Sequence, residues 1–296
     1  MELGKLTTET RNESSMNLDQ LTITEAVTLM NQEDVKVPRA IKGEIATIAK
    51  AVELIVASFN QGGRLIYMGA GTSGRLGVLD AAECVPTFSA SPEMVVGLIA
   101  GGKEAMLQAV EGAEDSVELG EKDLQILELN ERDTVVGIAA SGRTPYVIGG
   151  LKYAQKVGAS TVTISCNKYS EISQYSQVAI EIDAGPEVLT GSTRLKAGTA
   201  QKLVLNMLST VSMVQIGKVY QNLMVDVQPT NLKLEERSKR IIMQASECDY
   251  ETASQAFVDA NKNVKVAIMM VLTNKSRQEA EELLTESNGF VRKAIQ

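Results

Sequence analysis

Three segments rich in glycine and hydroxyls have the residue types needed to grip an anion. The first is Gly69-Ala70-Gly71-Thr72-Ser73-Gly74-Arg75, which follows an apolar run and opens a helical pattern. Small residues let backbone N–H groups approach a ligand closely, and a helix N-terminus adds free donors and a positive dipole end. Thr72, Ser73 and Arg75 would complete the cradle. The spacing is neither a dinucleotide GxGxxG fingerprint nor a Walker A loop, since Gly-Lys-Ser/Thr is missing. The second segment is Ser141-Gly142-Arg143-Thr144-Pro145, where Pro145 suits a first helical turn and Thr144 falls at the cap position. The third, residues 185–199, packs Glu187, Ser192, Thr193, Arg194 and Lys196 into a loop before a helix. Each has a plainer reading: a tight turn, a capped helix start, a solvated loop. Two loops with hydroxyls, glycine and arginine at one sheet edge favour a phosphate site.

Composition narrows the chemistry. There is no histidine, which removes His-based triads, His metal sites and the commonest general base. There is no tryptophan and aromatics are 4%, so stacking platforms for bases are not expected. The formal net charge of −8 argues against nucleic acid or an anionic membrane as partner, and an anionic substrate would need a local positive site. Cys84, Cys166 and Cys248 have no metal-ligand spacing. No metal and no cofactor are expected. The polar start MELGKLTTETRNESS is no secretion signal, and no apolar run approaches the ~20 residues of a membrane span. The expectation is a cytoplasmic protein.

The elements that must position these loops follow from periodicity. Thr22 or Thr24 would cap a helix over Thr24–Gln32. Ile41–Phe59 carries an apolar stripe of Ile45, Ile48, Ala51, Val52, Ile55 and Val56. Continuous apolar runs then recur at Leu65–Met68, Met94–Ala100, Thr134–Ala140, Thr161–Cys166 and Val178–Ile182, as parallel strands covered on both faces require. A helix over Pro145–Val157 between two of them makes a βαβ unit. The spacing predicts an α/β fold with a doubly wound, mostly parallel five-stranded sheet. A long helix follows over Ala197–Val219, and the charged tail has helix starts at Asp249, Asn263 and Ser276. The expected organisation is an N-terminal arm and helices (1–45), a sugar-phosphate-binding domain (46–234) and a small C-terminal helical domain (235–296).

Strand-GAGTSGR, strand-SGRTP and GPEVLTGSTRLKAGTAQKLVLNMLST together resemble the sugar isomerase (SIS) domain, whose fold is flavodoxin-like. More narrowly they resemble the bacterial N-acetylmuramic acid 6-phosphate etherases, which share the last signature with the glucokinase regulatory protein. DAAECVPT (80–87), VEGAEDS (110–116) and NLMVDVQPTN (222–231) extend the likeness over nearly the whole chain, with Val85 where the family also allows proline. The resemblance implies a phosphorylated amino sugar as substrate, release of D-lactate from a lactyl ether, and a role in cell-wall sugar recycling. Aldose–ketose isomerases and sugar-phosphate-sensing regulators are the alternatives on this fold.

The family's two catalytic glutamates fall on Glu83 and Glu114. The resemblance makes Glu83 the proton donor and leaves Glu114 for the C2 proton, although the split reverses without breaking the chemistry. Glu83 is expected near the end of the helix begun by Gly74, where a carboxylate anion is disfavoured and a donor is suited. Taken alone, Glu83 reads as a surface carboxylate, and Glu114 as part of a solvated acidic helix face with Glu111, Asp115 and Glu118. A helix from Ser73 to Glu83 is roughly 15 Å long. A phosphate at its start therefore leaves Glu83 of the same chain far away. Either the phosphate sits mainly on 141–144, or two subunits share the site; SIS proteins usually dimerise and build sites at subunit contacts, so the resemblance implies a homodimer with the site near its interface.

Overall fold

The computed structural model describes residues 4, 6–108, 110–229 and 231–296. Thr230 of the 222–231 segment and four residues of the N-terminal arm lie outside the described residues. The chain divides into two compact units: Met1–Ala82 with Glu93–Ser209, and Glu83–Pro92 with Thr210–Gln296.

The first unit is built on five strands: β1 (Leu65–Gly69), β2 (Val95–Ile99), β3 (Thr134–Ala139), β4 (Ser160–Ser165) and β5 (Val178–Glu181). Their order is β2-β1-β3-β4-β5 and every pairing is parallel. All five runs read from the sequence are strands, each within two residues of its expected ends. Strands β1 and β3 are buried along their whole length, which is why their sequences are continuous rather than alternating.

Alternate residues serve opposite faces. Ile66, Met68, Val135 and Ala139 join one core with Leu124, Tyr146, Val147 and Leu151, which come from α5 (Val117–Ile126) and α6 (Pro145–Val157). On the other face α3 (Ile45–Asn60) meets β3 through Ser58 and Thr134, whose hydroxyls lie 2.6 Å apart. α4 (Gly71–Phe88) lies there too. A side chain at its Gly77 would strike Tyr67 Cβ at 2.9 Å.

Helices α5 and α6 touch backbone to backbone. A Cβ at Gly120 would fall 1.9 Å from Tyr146 O, and one at Gly149 would fall 2.0 Å from Val117 O. This contact brings the segment before α5, which carries Glu114, against the start of α6.

Thr22 caps α1 (Ile23–Asp34) in a capping box with Glu25. The stretch expected as one helix from Ile41 is two, α2 (Lys36–Lys42) and α3, broken at Gly43-Glu44. Ile48, Ala51, Val52 and Ile55 are buried as expected, but Ile45 at the new helix start is 57% exposed. The long helix α7 (Lys196–Gln215) ends before Val219, at Gly217, whose φ of +80° stops helical propagation.

The second unit holds α8 (Leu232–Ser246), α9 (Tyr250–Asp259), α10 (Val264–Thr273), α11 (Arg277–Glu286) and α12 (Val291–Ala294). Ile241, Ile242, Phe257, Ile268 and Met269 centre its core. Asp249, Asn263 and Ser276 cap three of these helices with their side chains, as their sequence positions imply. Asp226 binds Lys218 and the largely buried Lys265.

Candidate active site

All strands being parallel, their carboxyl ends share one edge. The strand order reverses between β1 and β3, so the loops after these strands flank the switch point where open α/β sheets bind ligands. The first loop is tight: a Cβ at Gly74 would fall 2.6 Å from Gly69 O. α4 therefore begins against the strand end. Thr72 and Ser73 lie in its first turn. Ser73 is buried and donates to Gln201 Oε1 at 2.9 Å, so its hydroxyl is already engaged. Thr72 is half-buried.

A cavity of ≈ 330 Å³ opens beside this loop, lined among others by Gly71, Arg75, Gln108, Glu111 and Glu114. Arg75 is half-buried, and its Nε donates to Met106 O at 3.0 Å. It forms no ion pair among the described residues. Glu114 is exposed and precedes α5, whose N-cap is Ser116. Its carbonyl accepts the Tyr146 N–H at 3.0 Å. One backbone bond thus ties Glu114 to the first turn of α6, directly after the second loop. The acidic run is not a helix face: 111–115 is a turn, and the helix begins at Val117. Gly112, with φ +73°, is the break.

The second loop leaves its side-chain donors without partners among the described residues, while the Gly142 N–H donates to Ala139 O at 3.0 Å. Thr144 holds the N-cap position of α6 but its side chain makes no capping bond, contrary to expectation. With ψ 118° its backbone is extended, and the hydroxyl is left for another partner. Ser141 and Arg143 are half-buried. Gly142 has φ +76°, and a Cβ there would fall 2.2 Å from Ser170 Cβ. Asn167, 2% exposed, donates to Ala140 O at 3.1 Å and Ser141 O at 3.3 Å, which turns the loop's carbonyls inward.

The family model of the glucokinase regulatory protein N-terminal SIS domain matches residues 47–155, and the SIS domain model matches residues 110–211. N-acetylmuramic acid 6-phosphate etherase 2 of Lactiplantibacillus plantarum is 67% identical over 295 residues, covering 100% of both chains. The etherase 2 of Enterococcus faecalis is 65% identical, again over 100% of both. The chain belongs to the N-acetylmuramic acid 6-phosphate etherase family. Among solved structures, a phosphoheptose isomerase from Francisella tularensis superposes with TM-score 0.52 at 14% identity, over 66% of this chain and 100% of that one. Phosphoheptose isomerase from Neisseria gonorrhoeae gives 0.50 at 17%, over 64% and 98%. At such identities they share the fold.

With the etherase family established, its expected site residues fall into separate groups. Arg75 and Glu114 line one cavity, and the Glu114 carbonyl is bonded to Tyr146, two residues past Thr144. Glu187 and Lys196 are 2% and 1% exposed and already satisfied. Glu187 accepts the Lys196 and Ala197 N–H groups, both at 2.9 Å, and so caps α7. Burial pushes its carboxyl up, against the pull of those two bonds and of Lys196. Lys196 Nζ pairs with Glu33 at 2.7 Å. Glu33 also takes Lys36 and Asn12, and these bonds outweigh its desolvation and hold its pKa at about 2. Ser192 and Thr193 are half-buried in the turn before α7.

Glu83 is exposed on α4, in the second unit. The helix runs on to Phe88 with Pro86 inside it, correcting the expected end near Glu83. Glu83 therefore stands more than a turn from the terminus, and the dipole argument for a donor fades with that distance.

Sequence reasoning did not single out Gln108 or Asn167, and it read Glu111 as part of a solvated helix face. Asn167 had a signal: it directly follows β4, at the same edge as the loops. Gln108 and Glu111 lie in an irregular stretch without periodicity.

Proposed function

We propose that the chain cleaves the D-lactyl ether of N-acetylmuramic acid 6-phosphate, giving N-acetylglucosamine 6-phosphate and D-lactate. The observation that carries this is the convergence of Arg75 and Glu114 on one cavity beside the second loop, in a chain 67% identical to an etherase along its length. The lactyl oxygen on C3 is β to the open-chain aldehyde. Glu114 takes the C2 proton, and the aldehyde delocalises the resulting charge. The C3–O bond then breaks, and Glu83 gives its proton to the departing lactate oxygen. Water adds to C3 of the unsaturated aldehyde, and a proton returns to C2. Carboxyl groups in different surroundings suit such a division of roles. Ser141, Gly142, Arg143 and Thr144 take the phosphate at the α6 N-terminus, with Thr72 and Ser73 bordering it. Glu187, Ser192, Thr193 and Lys196 support the site by holding the start of α7.

The enzyme acts as a cytoplasmic homodimer. No helix among the described residues is long and apolar enough to cross a membrane. Ile23, Val27 and Met30 lie on one face of α1 and are 86%, 61% and 38% exposed, an apolar stripe that a second copy would cover. Arg75 of α4 lines the Glu114 cavity and Glu83 lies eight residues further along that helix, roughly 12 Å, which favours Glu83 serving the partner's site.

Solvent-deuterium exchange at C2 tests the scheme together with lactate release. Glu114→Ala should abolish exchange, while Glu83→Ala should keep exchange and lower lactate release by roughly 10²–10⁴-fold. Normal turnover in both variants rejects these two residues as the acid and base.

A further inference from the structure

We infer that Arg75 binds the carboxylate of the substrate's lactyl arm and so sets the specificity of the ether cleavage. The inference rests on the etherase reading above and deepens it. That substrate carries anionic groups at opposite ends: a phosphate at C6 and a carboxylate on the C3 ether. The site likewise offers two separate arginine-bearing loops, after β1 and after β3.

Their geometry assigns one loop to each anion. Arg75 lines the same cavity as Glu114, the residue placed at C2. A group beside C2 faces the C3 substituent, and C6 lies at the far end of the sugar chain. The second loop offers a phosphate side-chain donors on three residues, Ser141, Arg143 and Thr144, the last of which makes no capping bond. Arg75 has what a carboxylate needs. Its Nε is anchored on Met106 O, which fixes the guanidinium plane and leaves both terminal nitrogens without an ion-pair partner among the described residues. A fixed planar fork matches the two oxygens of a carboxylate, which a lysine ammonium cannot do. Glu111 and Glu114 line the same cavity, so an incoming carboxylate also needs this cation to offset their repulsion.

The test varies the substrate as well as the enzyme. kcat/KM is measured for N-acetylmuramic acid 6-phosphate and for its neutral lactyl carboxamide, with wild type, Arg75→Lys and Arg75→Met. Wild type should prefer the carboxylate by roughly 10- to 100-fold. Arg75→Met should lose that preference, and Arg75→Lys should keep part of it. The affinity of Arg75→Met for N-acetylglucosamine 6-phosphate, which has the phosphate and no lactyl group, should change by less than about threefold. A wild type indifferent to the carboxamide overturns the proposal, even if no variant folds. A parallel fall in N-acetylglucosamine 6-phosphate affinity overturns it too, by making Arg75 a phosphate ligand. Absence of lactate release from N-acetylmuramic acid 6-phosphate by wild type rejects the etherase reading itself.

Discussion

Glu114 is placed by its own carbonyl rather than by its side chain. The Tyr146 N–H holds that carbonyl, and the glycine contacts of α5 and α6 hold the two segments together. The carboxylate is left exposed and unpaired among the described residues, ready to face a ligand. Gly142 sets the neighbouring loop with equal firmness. Gly142→Ala would add a Cβ 2.2 Å from Ser170 Cβ at a φ of +76°. It should cost about 2–4 kcal/mol in urea unfolding and raise KM, because the loop must move to relieve the clash. Thr144→Val should leave stability within about 0.5 kcal/mol, since no capping bond is lost. Its KM should nonetheless rise several-fold if the hydroxyl meets the phosphate. At this scale the sequence shows residue types but not whether they are already satisfied. Glu187 and Lys196 looked like site groups because charges are uncommon in a plain linker. Lys196 pairs with Glu33, far upstream, and Glu187 accepts two N–H groups nine and ten residues on, so no short-range pattern links either to its partner.

The elements were more legible, because periodicity and caps are local signals. Helix α6 has the expected bounds, and Asp249, Asn263 and Ser276 cap where their sequence positions imply. Ile45 was misplaced because an apolar stripe does not show where a helix breaks. The consequential element is the start of α7, clamped by the Glu33–Lys196 pair and the Glu187 cap. Glu33→Ala would leave Lys196 buried without its counter-charge and should cost about 3–5 kcal/mol. The pH dependence follows from the same pair. Glu33 is held at about 2, below its ordinary 4.5. Its stabilisation is therefore present in full above 4.5 and lost as pH falls through 2. Unfolding of wild type and Glu33→Gln, compared at pH 7 and pH 3, should show the stability gap narrowing in acid. An unchanged gap would remove Glu33 as the source.

For the whole molecule, the five-stranded parallel sheet was readable because each strand is a continuous apolar run. The apolar face proposed for a second copy was not, since exposure of Ile23, Val27 and Met30 appears only once α1 is placed. Two inactive variants test the proposed dimer. If Glu83 serves the partner's site, a refolded equal mixture of Glu83→Ala and Glu114→Ala chains should regain about a quarter of wild-type lactate release, because half the dimers are mixed and each has one intact site. No recovery means both carboxyls come from one chain. Ile23→Asp with Val27→Asp should lower the sedimenting mass toward the 31.8 kDa of a single chain. The stretch before α1 reaches deep into the first unit. Thr8 and Asn167 exchange hydrogen bonds, Asn12 meets Pro186 O and Glu33, and Ser15 meets Val188 O. An affinity handle installed by trimming these residues would strip partners from the asparagine that braces the 141–144 loop and from the acid that clamps α7. A shortened form is therefore a different protein in its chemistry as well as its length, and should be compared with the full chain before any kinetic constant is taken from it.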